Sequence, residues 1–204
     1  MADPRLRLDE PIYGFRAWVA DRNVAPPRLL ATTFDMPWVP AGVNEARCLV
    51  EIGLEPTFAA WGRRLLGLPE VPLPRHPAPA ANCGCGFYAY DSLDAALRYA
   101  SSARWPYPWR PGPHNLFVLG AVLLWGESDR RVQVGDLADG AGVGRRIRAP
   151  FARVLALLDP GRADDTAHEV GPALGLPVVP VLGLELYARE HGARLPIPGQ
   201  EVTT

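Results

Sequence analysis

The stretch CGCGFYAYDSLDAALRYASSA, residues 83–103, places a strand and a helix in direct succession. Its GFYAY part is short and aromatic, as is typical of a strand, and either Asp91 or Ser92 is a good N-cap for a following helix. The segment LDAALRYASSA then has the composition and the apolar period of a helix. This stretch therefore indicates a fold that combines strands with helices.

On both sides of this stretch the sequence predicts further strands, joined mainly by turns. YGFRAWVA at 13–20 and RLLATTF at 28–34 predict a hairpin, because the breaker-rich DRNVAPP separates them. NLFVLGAVLLWGE from Asn115 predicts a long apolar strand, and RRIRAPFARVLALL from Arg145 predicts a strand and a short helix. The tail predicts a helix at TAHEVGPAL, a strand at LPVVPVL and a last helix at LELYAREHG, ending at Gly192. We expect an α+β fold with a mainly antiparallel sheet, flanking helices and a Cys/His metal-binding loop.

The chain of 204 residues is long enough for one well-packed domain with a small addition. We expect an α+β core domain with the Cys/His site over residues 1–160, and a C-terminal helical appendage over 161–204 packed on that core. The segment NEARCLVEI could begin a helix, and PTFAAWGRRLLGL from Pro56 has the spacing of a short amphipathic one. Residues 69–81 are rich in proline and alanine and predict an extended linker that leads to the cysteines.

All 21 basic residues are arginines, since the sequence contains no lysine. A Schiff base, a lysine general base and a P-loop lysine are therefore excluded for this chain. The formal net charge of -1 gives no reason to expect a general attraction to nucleic acid or to an anionic membrane. We interpret the cluster of Arg145, Arg146 and Arg148 as a solvated strand face.

The N-terminal segment MADPRLRLDEP lacks the apolar run of a signal peptide, and no run in the sequence is long enough to span a bilayer. We therefore expect a cytoplasmic protein whose thiols stay reduced. Metal binding or reactivity then explains the three cysteines better than a disulfide does, and their odd number leaves at least one unpaired.

A zinc site is the first prediction for these thiols, because zinc takes four thiolate or imidazole ligands in a tetrahedron. The residues that the chain offers for this purpose are Cys48, His76, Cys83 and Cys85. The last two can turn to one centre if Gly84 between them allows a tight turn, and Gly86 gives the same freedom behind them. The proline-stiffened stretch after His76 can loop back to the same place.

Other interpretations of these residues remain open. His114 could replace His76 as a ligand, and an iron-sulfur cluster could use the same set, although three thiolates with one histidine are unusual for a cluster. The thiols could also be small buried hydrophobic groups without a chemical role. Finally, one thiol could be a nucleophile, with His76 or His114 as its base and Asp91 as an orienting carboxylate.

Four parts of the sequence carry a resemblance: YGFRAW, WVPAG followed by Cys48, HPAPAANCGCGFYAY and GAVLLWGE. In these parts the chain resembles a group of actinobacterial proteins with the pattern G-x-R-x-W, W-x-P-G, C, H-x-x-P, C-x-C-G-[IF]-Y-A, over about residues 12–157. The resemblance implies that the Cys and His residues act as a unit, and it implies no activity. A histidine often follows the LWG strand in that group, whereas ESDRRVQVG follows it here, which argues against an essential histidine at that place.

Trp105, Tyr107 and Trp109 lie in one proline-rich loop, WPYPWRPGPHN. Aromatic side chains on a stiff loop offer a large contact area, so we predict that this loop binds a protein or small-molecule partner. Together with the metal site, it predicts a zinc-stabilised, non-enzymatic binding or adaptor protein. The alternative is an enzyme, with either an open metal site that activates water or a reactive Cys83 or Cys85.

Overall fold

The computed structural model describes residues 10–31, 37–48, 76–79, 85–102, 115–126, 132–136, 144–161 and 166–194. The strands in this part of the chain are β1 (Ile12–Asp21), β2 (Arg28–Ala31), β3 (Pro37–Trp38), β4 (Asn44–Glu45), β5 (Phe87–Tyr90), β6 (Asn115–Trp125), β7 (Gln133–Asp136), β8 (Arg145–Ala149), β9 (Phe151–Asp159) and β10 (Val178–Pro180). The helices are α1 (Leu93–Ser102), α2 (Thr166–Ala173) and α3 (Val181–Arg189).

All of these strands belong to one sheet, whose main path is β10-β9-β6-β1-β5-β8-β7. Strand β2 also pairs with β1, β3 pairs with β2, and β4 pairs with β9. Every pairing is antiparallel except that of β9 with β10, which is parallel. The expected α+β fold with a mainly antiparallel sheet is therefore confirmed, and so is the hairpin of β1 with β2.

Strand β1 lies at the centre of the sheet and is buried on both faces. Since strand side chains alternate, Ile12 and Trp18 enter one core cluster, whereas Tyr13 and Phe15 enter the other. Helix α2 packs into the first cluster, and helices α1 and α3 pack into the second. Helices therefore cover both faces of the sheet, which explains why β1 reads as a nearly continuous apolar run.

The segment after β8 was predicted to contain a short helix, and this prediction is wrong. Only Pro150 separates β8 from β9, which continues as a nine-residue strand. Proline cannot donate to a strand ladder, so it ends β8, and β9 then pairs with β6 on the other side of β1. The sheet curls to allow this: a Cβ atom added at Gly14 in β1 would lie 3.2 Å from the Ile147 side chain in β8.

The three helices lie where the sequence predicts helices, but some of their ends differ from the prediction. Ser92 caps α1, because its Oγ accepts a hydrogen bond from the backbone N–H of Ala95 at 3.2 Å. Helix α2 confirms the predicted helix at TAHEVGPAL. Helix α3 starts directly after β10 and ends at Arg189 with Glu190 as its C-cap, so Gly192 does not close it.

Some predictions fall wholly or partly on other residues of the chain. The amphipathic helix from Pro56 and most of the linker at 69–81 lie outside the described residues, whereas Asn44 and Glu45 form a strand rather than the start of a helix. Strand β10 joins the sheet, and the division at residue 160 stays a prediction. No helix of the described residues is long and apolar enough to cross a membrane.

Candidate Cys/His site

Three of the four residues predicted to bind zinc lie together in the structure. The sulfur of Cys48 is 3.3 Å from Nε2 of His76, and the sulfur of Cys85 is 4.0 Å from Nδ1 of the same ring. The imidazole therefore lies between two thiols that are 37 residues apart in the sequence. The fourth predicted ligand, Cys83, lies outside the described residues.

Short irregular segments bring these side chains to one edge of the curled sheet. Residues 46–48 follow β4 and are tied to the bend between β8 and β9, because Ala46 N–H donates to the Pro150 carbonyl at 2.7 Å. Cys85 lies two residues before Phe87, the first residue of β5. Ala46, Ala78 and Cys85 form a small apolar cluster with Phe87 packed against it. The site therefore has its own small core beside the main one.

Arg148 reaches into this site from β8. Its Nε donates to the Cys85 carbonyl at 2.6 Å, its Nη1 donates to the Gln133 side-chain oxygen at 3.2 Å, and its Nη2 is 3.7 Å from the Cys85 sulfur. The guanidinium thus ties the irregular backbone before β5 to the sheet. A positive charge at this distance also stabilises negative charge on the sulfur.

Gly86 makes this close approach possible. Its φ of +119° is a conformation that favours glycine, and an added Cβ would lie 3.1 Å from both the Arg148 and the Pro79 side chains. The prediction that Gly86 gives the chain special freedom behind the cysteines is therefore confirmed. The same prediction for Gly84 falls outside the described residues.

The described part of the site fits a metal only in part. Tetrahedral zinc places a sulfur and a nitrogen ligand about 3.6 Å apart, so the spacing of Cys48 and His76 suits a shared ion. The sulfur of Cys85, however, faces the other ring nitrogen, and one imidazole nitrogen serves one ion. Within the described residues, no group of three or more His, Cys, Asp or Glu side chains is arranged to hold a metal.

Other residues from the sequence predictions do not join this site. His114 and the aromatic residues Trp105, Tyr107 and Trp109 lie outside the described part of the chain. Asp91 contacts no histidine of the described residues; it accepts hydrogen bonds from Arg145, one from the backbone N–H and one from Nε, both at 3.0 Å.

The solvated strand face predicted for the arginines of β8 is wrong. Arg146 is exposed, but Arg145 is partly buried against Asp91 and Arg148 is only 9% exposed. Sequence reasoning missed both buried arginines, Arg148 and Arg16 in β1. A detectable signal existed for Arg16, because it interrupts an otherwise apolar strand, YGFRAWVA. No such signal marks Arg148, whose neighbours in sequence are also arginines.

No protein-family model, curated protein or solved structure matches the chain. The resemblance to the actinobacterial group therefore stays a prediction, and arguments about function depend on the geometry of the site.

Proposed function

We propose that the chain is a zinc-stabilised binding protein, with the metal held by Cys48, His76, Cys83 and Cys85. In this proposal the Cys85 sulfur, which faces Nδ1 of His76, turns to the Nε2 side of the ring, where the Cys48 sulfur lies. The observation that supports this most directly is the meeting of two thiols and one imidazole from three separate segments. The histidine is 28 residues from one cysteine and 9 residues from the other. Thiols and imidazoles are the ligands that zinc prefers in structural sites.

A metal would order this part of the chain, which has little regular structure of its own. Residues 46–48, 76–79 and 85–86 are neither helix nor strand, and the apolar cluster that joins them contains only a few small side chains. Binding of one ion to ligands from all three segments lowers the free energy of the folded state alone. The role of the metal in this proposal is therefore to fix the irregular segments to the edge of the sheet.

Burial favours a structural role over a catalytic one. Both described thiols are only 1% exposed, whereas a catalytic zinc ion needs an open position for water and substrate. Zinc also suits these four residues better than an iron-sulfur cluster does, because one of them is a histidine. Nε2 of His76 lies 3.3 Å from the Cys48 sulfur, closer than any other described pair of the set. The proposed function is accordingly to bind a protein or a small molecule, with Trp105, Tyr107 and Trp109 as the contact residues.

One observation favours an enzyme as the second candidate. The Cys48 sulfur and His76 Nε2 are 3.3 Å apart, which is close enough for proton transfer from a thiol to an imidazole base. A nucleophile must reach its substrate, and the 1% exposure of Cys48 opposes this. Reaction with a thiol reagent therefore separates the two candidates.

Elemental analysis of the purified protein tests the zinc proposal. We expect about one zinc per chain in the wild type. The metal should be lost in Cys48→Ser, His76→Ala and Cys83→Ser, and stability should fall by about 3 kcal/mol, or roughly 10 °C in Tm. His168→Gln is the matched control. His168 is half-exposed, pairs with Asp159 and is distant in sequence from the proposed ligands, so this variant should keep its zinc.

Thiol labelling before and after chelation completes the test. Slow labelling that becomes fast when zinc is removed supports a closed metal site. A metal-free protein with one rapidly labelled cysteine would contradict the proposal and favour the thiol-imidazole enzyme. A metal-free protein that labels slowly would contradict both candidates and leave the thiols as packing residues.

A further inference from the structure

Arg16 is a buried cation with few partners. Its side chain lies in the middle of β1 and is 8% exposed. Nη1 donates a hydrogen bond to the Tyr88 carbonyl, but Nε is buried and has no hydrogen-bond partner among the described residues. No carboxylate of the described residues pairs with the guanidinium.

Trp18 provides a second buried donor of the same kind. The residue is 0% exposed, and its indole Nε1–H has no partner among the described residues. Since strand side chains alternate, Arg16 and Trp18 point to the same face of β1, with Cα atoms about 7 Å apart. Two neighbouring donors on one strand face are thus left without acceptors.

Both side chains pack against one aromatic ring. The guanidinium carbon of Arg16 is 4.7 Å from the centre of the Trp38 ring, and the Trp18 ring meets Trp38 edge to face at 5.5 Å. The Trp38 ring is itself buried and contacts Phe87 at 4.7 Å. The two donors therefore share a single aromatic environment with low polarity.

Such an arrangement is unfavourable unless an acceptor is present. A buried donor without an acceptor loses the hydrogen bond that it makes to water in the unfolded chain, and a buried charge loses more. Burial lowers the pKa of Arg16 to about 10, so the guanidinium is still charged at neutral pH. Most buried polar groups in native proteins are paired, so two unpaired donors at one place require a specific explanation.

We propose that Arg16 and Trp18 bind a small oxyanion, in the first place a carboxylate, beside the ring of Trp38. In this proposal one oxygen of the carboxylate accepts from Arg16 Nε and the other from Trp18 Nε1, and the negative charge balances the guanidinium. The surrounding rings restrict the ligand to a compact anion. This inference does not depend on the zinc proposal, because none of the proposed zinc ligands contributes a donor.

Thermal unfolding in the presence of simple anions tests the site. The dialysed full-length protein is titrated with sodium acetate or inorganic phosphate, with sodium chloride at equal ionic strength as the reference. We expect a saturable rise in Tm with acetate that chloride does not produce. If phosphate gives the saturable rise instead, the oxyanion site is supported and its ligand chemistry is that of a phosphate group.

Substitutions assign the effect to the two donors. Trp18→Phe keeps an aromatic ring but removes the N–H donor, and Arg16→Met keeps the length of the side chain but removes the charge. Each should weaken the response to the anion by about tenfold or more. Arg146→Gln is the matched control. Arg146 is exposed and its guanidinium carbon lies 5.1 Å from the centre of the Tyr88 ring, so this variant should keep the wild-type response to the anion.

Two results would overturn the inference. One is a wild-type protein whose Tm follows ionic strength alone, with no saturable effect of either anion. The other is a response that persists unchanged in Trp18→Phe. If Arg16→Met fails to fold, Trp18→Phe decides the question by itself, since it removes the N–H donor and keeps a buried aromatic ring.

Discussion

The two buried arginines of the sheet have the same exposure and opposite surroundings. Arg16 in β1 is 8% exposed and Arg148 in β8 is 9% exposed. Arg148 directs its nitrogens to the Cys85 carbonyl, the Cys85 sulfur and the Gln133 side chain, whereas the one hydrogen-bond acceptor of Arg16 within the described residues is the Tyr88 carbonyl. The two buried charges of this sheet therefore serve different purposes. A cation with several acceptors links segments of the fold, and a cation with few acceptors is a candidate receptor for an anion.

The difference follows from the position of each strand. The backbone just before β5 is irregular, and there the Cys85 carbonyl accepts from the side chain of Arg148. Around Arg16, in contrast, β1 pairs along its whole length with β6, so the backbone acceptors on that side are used in the ladder. Aromatic rings fill much of the remaining space and offer no strong acceptor.

The strongest way to test this comparison is to replace each arginine by methionine. Arg148→Met removes the donor to the Cys85 carbonyl and should lower the free energy of unfolding by about 2–3 kcal/mol. Arg16→Met should change it by no more than about 1 kcal/mol in either direction, because the gain from removing an unbalanced buried charge offsets the lost hydrogen bond. Urea unfolding measured without added anions gives both values.

Arg146→Met is the control for loss of an arginine from the same strand. Arg146 is exposed, so its removal should have almost no effect on the urea midpoint. The proposed difference between the two arginines is wrong if Arg16→Met destabilises the protein as much as Arg148→Met does. That result would mean that Arg16 is fully paired in solution and that its charge is structural.

A smaller effect is expected from Gly86→Ala, which changes the surroundings of Arg148 without altering its charge. The φ of +119° and the 3.1 Å approach of the Arg148 side chain both oppose a Cβ atom, so we expect a loss of about 1–2 kcal/mol. Gly135→Ala in β7 is the matched control, because no atom lies within 4 Å of an added Cβ there.

Combining Gly86→Ala with Arg148→Met shows whether the two residues act together. If Gly86 serves to admit the Arg148 side chain, the double variant should lose less than the sum of the single losses. Strictly additive losses would indicate that the glycine is required only for its backbone conformation. Urea unfolding of the four proteins in this cycle provides the measurement.

Much of the fold was predictable because local patterns determine it. The apolar run of β6, the aromatic β5 and the period of α1 each specify one kind of element. The continuation of β9 was missed because an apolar run such as FARVLALL suits a buried helix as well as a strand buried on both faces. Only its pairing with β6, which depends on the curl of the sheet, decides between them.

The residues that meet at the site were predictable by type, but their geometry was not. Cysteine and histidine attract attention by type alone, and the structure brings Cys48, His76 and Cys85 together as the sequence suggested. The two buried arginines were not found, because arginine is usually exposed and its burial depends on partners distant in the sequence. Arg148 meets Cys85 across 63 residues, and Arg16 meets Tyr88 across 72.

The smallest effect is expected from breaking an exposed ion pair. In α3, Arg189 forms an ion pair with Glu185 at 2.7 Å, and Tyr13 OH donates to the same carboxylate at 3.3 Å. The hydrogen bond from Arg189 lowers the pKa of Glu185 below its ordinary value of 4.5, and burial opposes this only in part. Because the pair is largely solvated, Glu185→Gln should lower Tm at pH 7 by no more than about 2 °C.

The lowered pKa of Glu185 determines how this small effect changes with pH. A carboxyl group whose pKa is lower in the folded state stabilises the protein above its ordinary pKa, and this stabilisation disappears as pH falls through the lowered value. The Tm difference between wild type and Glu185→Gln should therefore be constant from about pH 7 to pH 5 and shrink below about pH 4.5. A difference that stays constant down to pH 3 would mean that the effect comes from the shape of the side chain and not from its charge. In that case the charge of this exposed ion pair adds nothing measurable to stability, and the contrast between the arginines with several acceptors and with few is kept for Arg148 and Arg16, which are buried.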